Sequence, residues 1–98
     1  MRIEFANDHL RRILTPDAHK LGLPIAVIQA ARRKLLKLEY ATDERELRNW
    51  AALNYKKLSG DRMGQRSIRI NDQYRIIFIL LDEEHPPAIR ILEIGDIH

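Results

Sequence analysis

The stretch from Ser67 to Leu81 constrains this chain more than any other. Ser67-Ile68-Arg69-Ile70-Asn71 alternates polar and apolar residues, the mark of a strand with one buried face. Asn71-Asp72 supplies a tight turn. Tyr74–Leu81 is then nearly all apolar, which predicts a central strand covered on both faces. A hairpin of this kind needs further strands beside it and a layer packed against it.

The rest of the chain offers both. Met1–Phe5 reads as a short strand. Asn7 or Asp8 can cap a short helix that runs to about Leu14, where Thr15-Pro16 breaks it. Asp17–Pro24 reads as a loop, punctuated by Gly22 and Pro24. The clearest helix starts at Pro24 or Ile25 and reaches about Tyr40, with Ile28, Ala31, Leu35 and Leu38 on one apolar face. Arg32, Arg33, Lys34 and Lys37 lie largely away from that stripe and read as a solvated face, with contact to RNA phosphates as the alternative. Asp43–Trp50 predicts a short helical turn or loop, with Trp50 as a partly buried anchor. Leu53–Leu58 is a candidate strand, Gly60-Asp61 and Gly64 mark a turn, Asp82–Pro87 is a polar turn, and Ala88–Ile94 is the last strand. The expected class is α+β, with two N-terminal helices on one face of a mainly antiparallel sheet of four to five strands.

The length of 98 residues fits a single domain spanning 1–98. With 45 % apolar and 32 % charged residues the chain belongs to the folded, soluble class. It has no apolar run long enough for a membrane span and no secretory signal in MRIEFANDHL, so a cytoplasmic location is expected. The absence of cysteine excludes disulfides, zinc fingers and thiol catalysis. His9, His19, His85 and His98 show no metal-ligand spacing, so neither a metal nor another cofactor is expected.

The net charge is only +3, but its distribution is uneven. Lys56 to Arg75 holds six cations (Lys56, Lys57, Arg62, Arg66, Arg69, Arg75) against Asp61 and Asp72. Ile76 to His98 holds Arg90 against five anions. A local basic block suits a polyanionic partner. Taken alone, it also suits a solvated strand face.

Strand geometry sorts these cations. Arg69 projects opposite to Ile68 and Ile70, and Arg75 opposite to Tyr74, Ile76 and Phe78. An arginine at the start of a buried strand must pair, for instance with Asp96, or face a cleft. If the last strand runs to the end of the chain, Asp96 and His98 share a face and Ile97 takes the other. Histidine suits proton transfer near neutral pH. Metal-free RNA cleavage needs a base for the 2′-OH, cations for the phosphorane charge and an acid for the 5′-oxygen. Arg69, Arg75 and the Lys56/Lys57 pair are candidate cations, and His98 is a candidate acid. The base is open between Asp96, a neutral lysine and His98 itself. Arg62 and Arg66 join Lys56 and Lys57 as candidate RNA contacts. Other chemistries fail on inspection: Gly60–Gly64 lacks the Gly-Lys-Ser/Thr of a P-loop, and there is no Gly-x-Ser-x-Gly or two-metal carboxylate cluster.

At Leu58–Phe78, LSGDRMGQRSIRINDQYRIIF together with the ending Asp96-Ile97-His98 resembles the HigB-type toxins of the RelE/ParE superfamily. The shared pieces are an L-x-G-D-R-x-G turn, the S-I-R-I-N-D-Q-Y-R-I-x-F hairpin and a terminal Asp-x-His. Ala41-Thr42 followed by Leu47-Arg48 also looks like that family's segment after its long helix, so the likeness covers roughly residues 25–98. The resemblance implies a RelE-like fold and a ribosome-dependent mRNA endoribonuclease that needs no metal. It also implies a cognate HigA-like antitoxin with a helix-turn-helix domain, through which alone operator DNA is reached. Arg69 and Arg75 match basic residues lining the family's RNA cleft, and Asp96 and His98 match the ends of its Asp-Tyr-His tail. Two positions depart from the pattern. Ile97 stands where many members have tyrosine, and Ser59 occupies the x position of the L-x-G turn, just before or within which some members carry a histidine or lysine. Loss of one acid or base costs about 10²–10⁴-fold, so a weaker nuclease is expected. The superfamily also contains gyrase-directed ParE-like inhibitors, and a non-catalytic relative that only binds RNA or its antitoxin is the other alternative.

Overall fold

The computed structural model describes residues 1–97. The strands are β1 (Arg2–Phe5), β2 (Lys56–Lys57), β3 (Arg66–Arg69), β4 (Arg75–Leu81) and β5 (Ala88–Gly95). They form one sheet in the order β1-β5-β4-β3-β2. The expected meander β2 to β5 is antiparallel throughout, and β1 adds to β5 as a parallel edge strand.

The helices are α1 (Asp8–Arg11), α2 (Ile25–Tyr40) and α3 (Glu44–Asn49). Asn7 caps α1 by accepting from the Leu10 amide at 2.9 Å, and Asp43 caps α3 by accepting from the Glu46 amide at 3.1 Å. The predicted stripe of α2 is buried at Ile28, Ala31, Leu35 and Leu38, with Val27 added. These side chains pack with Ile13, Leu47 and Leu53 against Ile68, Ile76, Phe78, Ile89 and Ile91 of the sheet. At the far end of α2 the Met1 ammonium donates to the carbonyls of Leu38, Glu39 and Ala41 and so closes the helix terminus. The cations of α2 do structural work: Arg32 donates to Ile13 O and Thr15 O at 2.7 and 2.9 Å, and Lys37 lies over the partly buried Trp50 ring at 5.8 Å. Among the described residues no helix is long and apolar enough to cross a membrane.

Four local expectations are corrected. The first helix stays α-helical only over Asp8–Arg11 and tightens to a 3₁₀ turn over Arg12–Leu14. Asp17–Pro24 is not bare loop, because Ala18–Leu21 forms a 3₁₀ turn that buries Ala18 and ends at Gly22 in the left-handed region. Leu53–Leu58 contributes only Lys56–Lys57 as strand. Leu53 ends a 3₁₀ turn, and Asn54 is left-handed at φ 45°, which sharply redirects the chain. Lastly, β4 has a helix layer on one side only. Its other side is the wall of a cleft.

Candidate active-site cleft

The cleft follows from strand parity. Cross-strand neighbours share a face, and the register pairs Lys56 with Ser67, Ser67 with Ile77, and Ile77 with Glu93. The next row on the same face is Arg69, Arg75 and Gly95. This face, away from the helices, holds a cleft of about 290 Å³ lined by Lys56, Leu58, Arg62, Ser67, Arg75, Ile77 and Ile97. Ile77 is buried, and Ser67 is a buried polar side chain with its hydroxyl paired.

Arg75 is held in the cleft by two hydrogen bonds. Its Nε donates to Ser67 Oγ and its Nη2 to Asn54 O at 3.0 Å. Neither partner is charged, and the alternative of a pairing with Asp96 is not what forms. Asp96 accepts from Gln73 Nε2 at 2.8 Å. Burial, and then the neighbouring Arg69 charge, lower the Arg75 pKa from its ordinary value. A partly buried guanidinium beside a like charge is a place where an incoming anion is favoured.

The other candidates divide between the two faces. Lys56 lines the cleft and makes no ion pair among the described residues. Arg62 also lines it and bridges to Glu93 Oε2 at 2.9 Å and Gln65 Oε1 at 3.1 Å. Arg69 is half-exposed and pairs with Asp72 of the hairpin turn. Lys57 and Arg66 are not brought to the cleft. They pair in register with each other on the helix side, and Arg66 continues into Phe78 there. On that side Arg66 Nε donates to Glu44 Oε2 at 3.3 Å and to Tyr55 Oη at 3.2 Å, and Tyr55 Oη in turn donates to Glu44. Burial would raise Glu44, but hydrogen bonds from Tyr55 and Arg66 and the charges of Lys57 and Arg66 outweigh it and hold the carboxylate below its usual range.

The tail is also corrected. Register passes from Phe78 opposite Ile91 to Ile77 opposite Glu93, so Leu92 is the extra residue of a β-bulge. The bulge reverses the facing of the strand residues after it, Glu93 to Gly95. Glu93 therefore reaches the cleft side, and Ile97, expected on the other face from the functional groups, lines the cleft instead. The strand stops at Gly95, and exposed Asp96 lies by Gln73. His98 lies outside the described residues. Among the described residues no cluster of three histidine or carboxylate side chains is arranged to hold a metal.

Comparison with known proteins places this arrangement. Residues 3–86 match the family described as the RelE-like toxin of the type II toxin–antitoxin system HigB. The chain is also 34 % identical over 82 residues to Toxin HigB-1 of Vibrio cholerae serotype O1, covering 84 % of this chain and 86 % of that protein. The chain belongs to the HigB family of RelE-like toxins.

Solved structures share the fold of this HigB-family chain. The YoeB/ParE toxin from Agrobacterium tumefaciens superposes with a TM-score of 0.63 at 10 % identity, covering 100 % of both chains. YafQ from E. coli strain BL21(DE3) gives 0.61 at 16 % identity over 98 % of this chain and 93 % of that one. A YoeB–YefM toxin–antitoxin heterotetramer from Staphylococcus aureus gives 0.62 at 17 % identity, covering 100 % of this chain and 98 % of its match. Within the HigB-family fold, sequence reasoning missed Ser67 and Asn54 as the holders of Arg75. Ser67 was detectable, because the alternation that exposes Arg69 puts Ser67 on the same face. Asn54 acts through its backbone carbonyl, which no residue pattern reveals.

Proposed function

We propose that this HigB-family toxin cuts messenger RNA on the ribosome by metal-independent transesterification in the Arg75 cleft. The 2′-OH loses a proton and its oxygen attacks phosphorus. The bond to the 5′-oxygen breaks, and that oxygen receives a proton. Arg75 and Arg69 stabilise the charge that builds on the phosphorane oxygens. Lys56 and Arg62 hold flanking phosphates. Asp96 is assigned the proton of the 2′-OH, and His98 gives its own to the 5′-oxygen. The observation that carries this reading is Arg75 itself, a partly buried guanidinium whose partners among the described residues are neutral acceptors, in a cleft whose other charged lining residues among them are Lys56 and Arg62. A magnesium-dependent site would need carboxylates where the cleft presents cations.

The toxin is proposed to act in the cytoplasm and to be silenced by a HigA-like antitoxin carrying a helix-turn-helix domain. That antitoxin also carries it to operator DNA. Family membership supports a type II partner, as does the fold shared with toxins solved in complex with antitoxins.

Product ends test the chemistry. Purified protein is added to ribosomes programmed with a short message. Transesterification leaves a 2′,3′-cyclic phosphate and a 5′-hydroxyl, and a 2′-deoxy nucleotide at the cut site blocks cleavage. Products with 5′-phosphates, or cleavage that tolerates the 2′-deoxy substitution, would overturn the mechanism. Growth arrest with gyrase-linked DNA breaks and intact message would assign the protein to the inhibitor branch instead.

A further inference from the structure

The helix side of the sheet carries a polar cluster that lies outside the cleft. Glu44 of α3, Tyr55 of the chain entering β2, and Arg66 of β3 form a closed triangle of hydrogen bonds. The Tyr55 ring also packs against Phe78 at a centroid distance of 6.3 Å. Burial, then the hydrogen bond to Glu44, push the Tyr55 hydroxyl well above its ordinary pKa, so it remains a proton donor to that carboxylate.

Chain position connects this triangle to Arg75. The two acceptors of the Arg75 guanidinium are Asn54 O and Ser67 Oγ. Asn54 immediately precedes Tyr55, and Ser67 immediately follows Arg66. Arg66 and Ser67 are consecutive residues of β3 and point to opposite faces, so Arg66 backs Ser67 directly, while Asn54 accepts through its backbone carbonyl, one peptide from Tyr55. Before Asn54 the chain is fixed by buried Leu53 and by the Asn54 amide donating to Ala51 O at 3.1 Å, but after it the pairing is short. β2 contributes only two residues of pairing, and it is the edge strand of the sheet. Asn54 itself is left-handed at φ 45°, ψ 53°, a conformation that surrounding contacts must hold in place.

We infer that Tyr55, with Glu44 and Arg66, is a positioning residue for Arg75, fixing from behind the sheet the two acceptors that aim its guanidinium into the cleft. The inference rests on the reading of Arg75 as the phosphorane-facing cation. It assigns Arg66 a role in the reaction without RNA contact, and it gives a purpose to a phenol and a carboxylate that no RNA contact explains.

Tyr55→Phe removes one hydroxyl and leaves the ring on Phe78. Single-turnover cleavage of message on programmed ribosomes is measured against toxin concentration. The maximal rate should fall about tenfold, the scale of one hydrogen bond to a charged group. The half-saturating concentration should stay within about twofold, because no phosphate contact is removed. The double variant Tyr55→Phe/Arg75→Met should be no slower than Arg75→Met alone, since a positioning residue has nothing left to position. Glu44→Gln should show the same pattern and serves if Tyr55→Phe does not fold. Tyr55→Phe cleavage at the parental rate, or a loss that multiplies fully with that of Arg75→Met, overturns the inference and leaves the Arg75 reading intact. Parental cleavage by Arg75→Met overturns the reading on which it rests, and the inference with it.

Discussion

Replacing Arg75 with methionine separates a functional role from a structural one. Methionine keeps most of the stem and removes the guanidinium. Two charge-assisted hydrogen bonds are lost, to Ser67 Oγ and Asn54 O, and bonds of this kind contribute about 1.5–3 kcal/mol when their charged partner is well solvated elsewhere in the balance. Two terms oppose that loss. The guanidinium no longer has to be desolvated, and Arg75 stands directly across from Arg69, a like-charge pair that costs roughly 0.2–1 kcal/mol. Asn54 is exposed, and buried Ser67 lies in the cleft lining that truncation of Arg75 opens, so water can replace the lost donor at both. The net change in stability should therefore lie within about 1 kcal/mol, or about 4–8 °C in Tm for a domain of this size. Cleavage should fall much further, by about 10²–10³, the scale of removing one donor aimed at developing transition-state charge. The assay is cleavage on programmed ribosomes beside a thermal melt of the same preparation. If Tm collapses along with activity, Arg75 is a structural residue. If cleavage is unchanged, the cleft is not the reaction site.

Three further outcomes follow from the same geometry. Lys56→Ala should reduce the log–log salt slope of single-stranded RNA binding by about 0.7, one phosphate contact. Lys57→Ala should leave that slope unchanged, because its strand position puts it on the helix side. Glu44 has its folded-state pKa held down, so the unfolded chain binds its proton first. Its contribution to stability is present above the unfolded value of about 4.3 and is lost as pH falls through the lower folded value. Melts from pH 7 to pH 3 should therefore fall more steeply for the parent than for Glu44→Gln, and parallel curves would contradict the ion-pair account. Ile97→Tyr places an aromatic ring in the cleft lining, where one base stack is worth about 1–3 kcal/mol. Cleavage should rise about tenfold, and no rise would show that Ile97 is not what limits this toxin.

What could be read from the residues depended on regular periodicity. The α2 stripe and the Ser67–Leu81 hairpin repeat at 3.6 and 2 residues, and the structure buries Ile28, Leu35, Ile68, Ile76 and Phe78 accordingly. The same period-2 rule that exposed Arg69 also assigns Arg66 to the helix side and separates Lys56 from Lys57. Counting charges along the block concealed that distinction. The tail was harder, since one extra residue at Leu92 reverses parity and brings Glu93 to the cleft side, and the strand ends at Gly95 before Ile97, which lines the cleft. A bulge of this sort leaves no local composition signal. The Glu44–Tyr55–Arg66 triangle joins residues far apart in the chain through a left-handed turn at Asn54, so only the folded path brings them together.

The central claim is that this HigB-family protein cuts message only as it is translated, using the Arg75 cleft. Primer extension on two reporter transcripts during brief induction tests it most directly, one transcript translated and one differing only in a destroyed start codon. The account predicts cuts spread through the coding region of the translated reporter, none in its untranslated twin, and none in either when Arg75→Met is expressed. Equal cutting of both transcripts, or growth arrest with neither cut, would contradict it.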